Sequence, residues 1–189
     1  MKVALIGTHG VGKTTLCFEL AARLKRRDVD VEMVREVARR CPLPINRETS
    51  LASQSWILHT QMAWELEAEA THALVICDRS VLDNYCYLLN ATGPQAAWEP
   101  LLERWLATYT LLVKVPLWTQ PRWDGVRDTD IAFQRAIDEG IDDQLERRGV
   151  AALRLAPDDR PRWGDLVMAA LEPRLSPQRS LFPEEESAE

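Results

Sequence analysis

The chain has no long hydrophobic run, no paired cysteines and little histidine, and each absence removes a class of protein. Its apolar stretches are short, Ala73 to Cys77 being five residues and Leu166 to Leu171 six, against the ~20 needed to cross a bilayer. The opening Met1-Lys2-Val3-Ala4-Leu5-Ile6-Gly7 reads as a short strand entering a glycine, without the h-region or small-residue cleavage site of a secretion signal. A cytoplasmic protein that does not enter a membrane is expected. Cys17, Cys41, Cys77 and Cys86 contain no Cys-x-x-Cys pair and there are 3 histidines, so neither a zinc site nor a disulfide framework is expected. Cys17 and Cys77 read as small buried thiols of the core. Lysine is scarce too: the 23 cations are almost all arginine, and 29 acidic residues leave a formal charge of −6. That balance lacks the broad basic face used in sequence-independent nucleic-acid binding, and no nucleic-acid partner is expected.

What is present is apolar material for one core, 46% of 189 residues. Strands are expected at Val3–Gly7, Val29–Val37, Ala73–Cys77, Leu111–Val115 and Ala151–Leu155. Helices are expected at Lys13–Arg27, where Leu16, Leu20 and Leu24 share a face, and at Glu48–Glu69. Trp98, Leu101, Leu102, Trp105, Leu106 and Tyr109 form the cleanest helical stripe. A further helix carries Phe133, Ile137, Ile141 and Leu145, capped by Asp128 or Thr129, and a short one runs from Trp163 to Leu171. Strands alternating with helices imply βαβ units and a parallel sheet of about five strands, with ligands at the carboxyl ends of the strands. Residues 1–172 form the expected domain. Residues 173–189, with Glu184-Glu185-Glu186, read as a mobile acidic tail.

Gly7-Thr8-His9-Gly10-Val11-Gly12-Lys13-Thr14 satisfies G-x-x-x-x-G-K-[ST], directly after the first strand and opening an amphipathic helix. Glycines let successive backbone N–H groups, through Thr15, turn inward onto phosphate oxygens, and the helix adds its positive end. Lys13 reaches the β- and γ-phosphates, and the Thr14 hydroxyl can ligate Mg²⁺. The loop works through its backbone, so the His9 side chain reads as structural or exposed.

Charges stand at the ends of the next strands. Asp78-Arg79-Ser80 ends the third: Asp78 is placed to hold Mg²⁺ and Arg79 to pair with phosphate oxygens, the alternative being a local ion pair or helix cap. Arg35-Glu36-Val37-Ala38-Arg39-Arg40 ends the second. Glu36 there can accept the proton of an attacking hydroxyl, and Arg39 and Arg40 can hold an acceptor's phosphate or carboxylate, unless they are solvated charges. Gln120 to Asp128 reads as a lid whose Arg127 reaches the γ-phosphate on closure, or as an ordinary surface loop. Neither [NT]-K-x-D nor D-x-x-G occurs, which disfavours a GTPase, and the length leaves little room for the extra helical domain of a ring-forming ATPase.

These segments together resemble the small P-loop nucleoside and nucleotide kinases. In particular, they are similar to the ATP-binding family that includes the ribosylnicotinamide kinase domain of a bifunctional NAD-biosynthesis protein. The resemblance implies a P-loop NTPase α/β fold, doubly wound, with strand order 2-3-1-4-5 flanked by helices. It also implies ATP and Mg²⁺, and a small hydroxyl or phosphate acceptor. Carried over position by position, Glu36 becomes the base, Asp78 a magnesium-side acid, and Arg79 and Arg127 transition-state cations. Gln61, with Trp56 and Trp64 nearby, occupies the stretch that reads the acceptor base in related kinases, although both tryptophans fit packing as well. Dimers are common among such kinases. The expected activity is phosphoryl transfer from ATP to a nucleoside or nucleoside monophosphate. A kinase of another metabolite and a nucleotide-dependent switch on a protein partner stay open.

Overall fold

A computed structural model describes residues 1–45, 48–119 and 130–175. Five parallel strands, β1 (Lys2–Ile6), β2 (Val31–Val34), β3 (Leu74–Asp78), β4 (Leu111–Lys114) and β5 (Leu153–Arg154), form one sheet in the order β2-β3-β1-β4-β5. The central strands β1 and β3 are buried at every residue, which is why they read as continuous apolar runs rather than alternating ones. Their side chains still alternate between two cores. Val3, Leu5, Leu74 and Ile76 pack with α1 (Lys13–Lys25) and α6 (Trp163–Leu175). Ala4, Ile6, Val75 and Cys77 pack with α2 (Leu51–Thr71), α3 (Val81–Thr92), α4 (Glu99–Leu106) and α5 (Ile131–Arg147). Among the described residues no helix is long and apolar enough to cross a membrane.

The order of elements follows the expectation, with four differences. Helix α3 was not anticipated. All of Val81–Leu88 is buried, so the segment shows no polar face and no helical stripe to detect. Strand β2 stops at Val34 and is followed by a 3-10 turn at Val37–Arg40, which leaves Glu36 outside the strand. The cap of α5 is Asp130, whose carboxylate accepts from Ala132 N and Phe133 N; Asp128 and Thr129 lie outside the described residues. Helix α6 runs to Leu175, past the expected boundary at 172, and the tail beyond it is outside the described residues.

One buried charge locks α2 to the sheet. Glu65, fully buried, takes Lys2 Nζ at 3.1 Å, Trp105 Nε1 at 2.6 Å, Tyr109 Oη at 2.7 Å and Gln61 Nε2 at 2.8 Å. Four partners satisfy both carboxylate oxygens, the condition on which a buried charge is tolerated. The apolar stripe of α4 is thereby spent on this core, with Leu102 and Leu106 buried.

Candidate active site

The loop between β1 and α1 needs its glycines for different reasons. Gly7 has φ 144°, and a Cβ there would come within 2.6 Å of Val115 O. Gly12 caps α1 at φ 102°, a left-handed conformation costly for any other residue. Gly10 also has positive φ, Thr8 and Val11 are buried, and Trp118 Nε1 pins the Val11 carbonyl at 2.7 Å. Lys13 is curled into the loop, its Nζ donating to Gly7 O (2.8 Å) and Thr8 O (2.6 Å). Burial and, after it, the Arg79 guanidinium lower its pKa to about 8. A bound polyphosphate would supply the charge partner that this ammonium has only in part. Above the loop lies a cavity of about 210 Å³, lined by Gly10, Gly12, Lys13, Thr14 and Thr15 together with His9, Glu36, Asp78 and Arg79.

The carboxyl end of β3 faces this cradle because Asp78 pairs in register with Leu5 of β1. Thr14 Oγ1 donates to Asp78 Oδ2 at 2.5 Å. Burial raises the Asp78 pKa, and a cation beside the carboxylate would lower it again. Two hard oxygen donors next to a phosphate cradle fit Mg²⁺, which takes one or two protein oxygens and completes its shell with phosphate and water. Among the described residues there is no group of three His, Cys, Asp or Glu that could hold a metal ion on its own.

Arg79 adopts φ 93°, unusual for a residue with a side chain, and several groups hold it there. Its N–H donates to Leu5 O, its carbonyl accepts from Gln61 Nε2 at 3.4 Å, and the next turn is clamped by Asp83. Asp83, fully buried in the first turn of α3, accepts from Gly7 N at 2.9 Å, Ser80 N at 2.8 Å and Ser80 Oγ at 2.9 Å. This one carboxylate ties the phosphate loop to the Asp78-Arg79-Ser80 turn. The three-residue spacing from Ser80 to Asp83, that of a capping box, was its only trace in the sequence.

Glu36 sits between two guanidinium groups. Arg79 Nε and Nη2 both reach its Oε1 at 2.8 Å, and Arg39 Nε reaches Oε2 at 2.7 Å. Burial alone would raise its pKa, but Arg79, Lys13 and Arg39 outweigh it and hold the carboxyl down at about 2. Beside Glu36 lies a second, smaller cavity of about 40 Å³, bordered by His9, Arg39, Ile45, Gln54, Asn84 and Tyr87. It has room for a few waters.

This cavity holds two residues the sequence reading missed. Gln54 and Asn84 are 3% and 4% exposed, yet Gln54 Oε1 and Asn84 Nδ2 have no hydrogen-bond partner among the described residues. The Gln54 amide is oriented by a relay from the start of α2. Ser53 Oγ donates to Ser50 O (3.0 Å), so the Thr49 hydrogen goes to Ser53 Oγ (3.0 Å), and Thr49 Oγ1 then accepts from Gln54 Nε2 (2.7 Å). Oε1 is left as an acceptor.

The structure thus gathers Lys13, Thr14, Glu36, Arg39, Asp78 and Arg79 around two adjoining cavities. It does not bring Arg40 there: Arg40 stacks over Trp64, 5.3 Å from the ring centroid, on the outer groove beside β2. Gln61 borders neither cavity, its amide nitrogen being engaged by Glu65 and the Arg79 carbonyl. Trp56 is half-buried and Trp64 packs partly against the core. Arg127 lies outside the described residues.

The sheet order, the loop after β1 and the acid at the end of β3 define a P-loop NTPase fold. The chain belongs to the AAA domain family, whose match spans residues 2–162. No curated protein matches it. Among solved structures, it is similar to deoxyadenosine kinase from M. mycoides with bound dATP (17% identity, TM-score 0.62, covering 91% of this chain and 99% of that one). It is also similar to thymidylate kinase from Ehrlichia chaffeensis (17% identity, TM-score 0.66, 90% and 98% covered). A third similar structure is the NadR protein in complex with NAD and AMP-PNP (18% identity, TM-score 0.68, 96% of this chain and 51% of that one).

Proposed function

We propose that the protein is a kinase that moves the γ-phosphoryl group of ATP onto a hydroxyl of a small acceptor of nucleoside type. The observation that carries this reading is the pair of adjoining cavities that share His9, Glu36 and Arg79. One is a phosphate cradle. The other is a small pocket with unsatisfied amide groups, which the polar groups of a second small molecule could pair. The kinases among the similar structures support the same reading.

Lys13 and the backbone N–H groups of the loop beyond Gly7, whose own N–H is taken by Asp83, bind the polyphosphate. Mg²⁺, held by Thr14 and Asp78, would neutralise charge on the phosphate oxygens. Arg79 faces the oxygens that gain charge as the bond to the donor weakens. Glu36, held ionised, accepts a hydrogen bond from the acceptor hydroxyl and orients it in line. A pKa of about 2 makes it a weak proton acceptor, which suits a loose transition state in which the hydroxyl loses its proton late. Arg39 and Arg79 are both engaged by Glu36 and Arg40 points elsewhere, so among the described residues no guanidinium pair converges on an acceptor phosphate. This favours an unphosphorylated acceptor.

The test is transfer of label from γ-labelled ATP to nucleosides. The reading expects labelled nucleoside monophosphate from the wild type and none from a folded Lys13→Met variant. The family assignment also admits a nucleotide switch that acts on a protein partner. That reading expects slow ATP hydrolysis with no labelled small-molecule product.

A further inference from the structure

His9 occupies a variable position of the phosphate loop, where only the backbone is needed. Its side chain is nonetheless fixed from several sides. The ring is 7% exposed and lies 5.8 Å from the Phe133 ring and 6.4 Å from the Tyr87 ring, centroid to centroid. Its carbonyl accepts from Gln134 Nε2 at 2.8 Å, and its Nδ1 lies 3.0 Å from Tyr87 Oη.

Arg79 and Thr8 bear on the direction of that last hydrogen bond. Arg79 Nη1 contacts the Tyr87 oxygen at 3.5 Å, and a guanidinium can only donate. The Tyr87 oxygen therefore accepts from Arg79, and its own hydrogen is available to His9 Nδ1. The Thr8 hydroxyl, 3.5 Å from the same nitrogen, is a second group able to donate to it. With Nδ1 as the acceptor of these two hydroxyls, the ring proton resides on Nε2. A chain Glu36–Arg79–Tyr87–His9 thus leads to an imidazole that borders both the phosphate cavity and the acceptor cavity.

We propose that the His9 imidazole is a further catalytic group, donating its Nε2–H to an oxygen of the phosphoryl group as that group passes between the two cavities. The assignment rests on the kinase reading. The imidazole forms no bond to phosphorus and exchanges no proton; it adds one preorganised donor to those on Lys13 and Arg79. Removing a single such donor typically costs about 10²-fold in kcat.

Two measurements test it, on the full chain. The first is ¹⁵N NMR of the imidazoles, tractable because there are 3 histidines and a His9→Gln spectrum identifies the signal. The expected result is a proton on Nε2 of His9, lost in part to the other tautomer in Tyr87→Phe, and a shift of that N–H on adding Mg·ATP. A proton on Nδ1, or a signal unmoved by Mg·ATP, would overturn the assignment. The second is kinetics with a productive acceptor. His9→Ala is expected to lose about 10²-fold in kcat with KM for ATP within about threefold. His9→Gln, whose amide N–H reaches about as far as Nε2, should retain roughly tenfold more activity than His9→Asn, whose amide reaches only as far as Nδ1. Equal activity in those two variants, or full kcat in His9→Ala, would refute a donor role and leave packing. The Gln/Asn comparison stands even where the alanine variant does not fold. Absence of acceptor-dependent turnover in the wild type would refute the kinase reading instead, while the NMR result still decides the tautomer and the contact with nucleotide.

Discussion

Arg79 grips a single oxygen of Glu36 with two nitrogens, each at 2.8 Å. The carboxylate is fixed at the boundary between the two cavities, and its charge is held across the whole physiological range. Glu36→Gln should lower kcat by about 10²-fold or more while nucleotide binding persists, read from steady-state kinetics beside direct ATP titration.

The same pair has a consequence for stability. The Glu36 pKa falls from an ordinary 4.5 to about 2 in the folded protein. A depressed carboxyl pKa stabilises the fold fully above the unfolded value, and the stabilisation is lost as pH drops from 4.5 toward 2. Urea midpoints should therefore show wild type well above Glu36→Gln at neutral pH, with the gap closing below about pH 4.5.

Lys13 behaves in the opposite sense. Its pKa of about 8 lies below the usual 10.5, so in the empty protein the ammonium discharges as pH rises through about 8. Nucleotide affinity should weaken above that pH, and binding there should take up a proton, because phosphate restores the charge. Calorimetry in buffers of different ionisation enthalpy reads the uptake directly, and Lys13→Met should show none.

Asp78 and Thr14 carry the metal side. Asp78→Asn should raise the Mg²⁺ concentration needed for half-maximal turnover by about tenfold or more, with folding intact, and chelation should abolish transfer in the wild type. An unchanged Mg²⁺ requirement would remove Asp78 from this role.

Gln54 and Gln61 lie two helical turns apart on one face of α2, yet they should separate cleanly in kinetics. Gln54→Leu is expected to raise the acceptor KM by about tenfold, since a buried carbonyl would lose a ligand donor. Gln61→Leu is expected to lower thermal stability through Glu65 with the acceptor KM kept. Reversed outcomes would mean that Gln61, not Gln54, meets the acceptor.

The phosphate loop and the Asp78-Arg79-Ser80 turn were legible in the sequence because both are local: fixed glycine spacing in one, a strand end in the other. Gln61 was named from the resemblance and Gln54 was missed, because a helical repeat cannot say which residues of α2 lie at the cavity. That depends on α2 starting at Leu51 behind the Ser50–Ser53 cap, three residues later than expected. Asp83, Asn84 and Tyr87 stayed hidden because α3 is buried through Leu88 and offers no contrast between faces. Arg39 and Arg40 looked like a pair, but the 3-10 turn at Val37–Arg40 sends them to different grooves.

The measurement that bears most directly on the central claim is ADP formation from Mg·ATP with and without acceptors, across ribo- and deoxynucleosides, their monophosphates and nicotinamide riboside. The account predicts slow hydrolysis alone and turnover that appears with one class of unphosphorylated nucleoside. ATP binding with a rate indifferent to every acceptor would contradict it and favour a nucleotide switch.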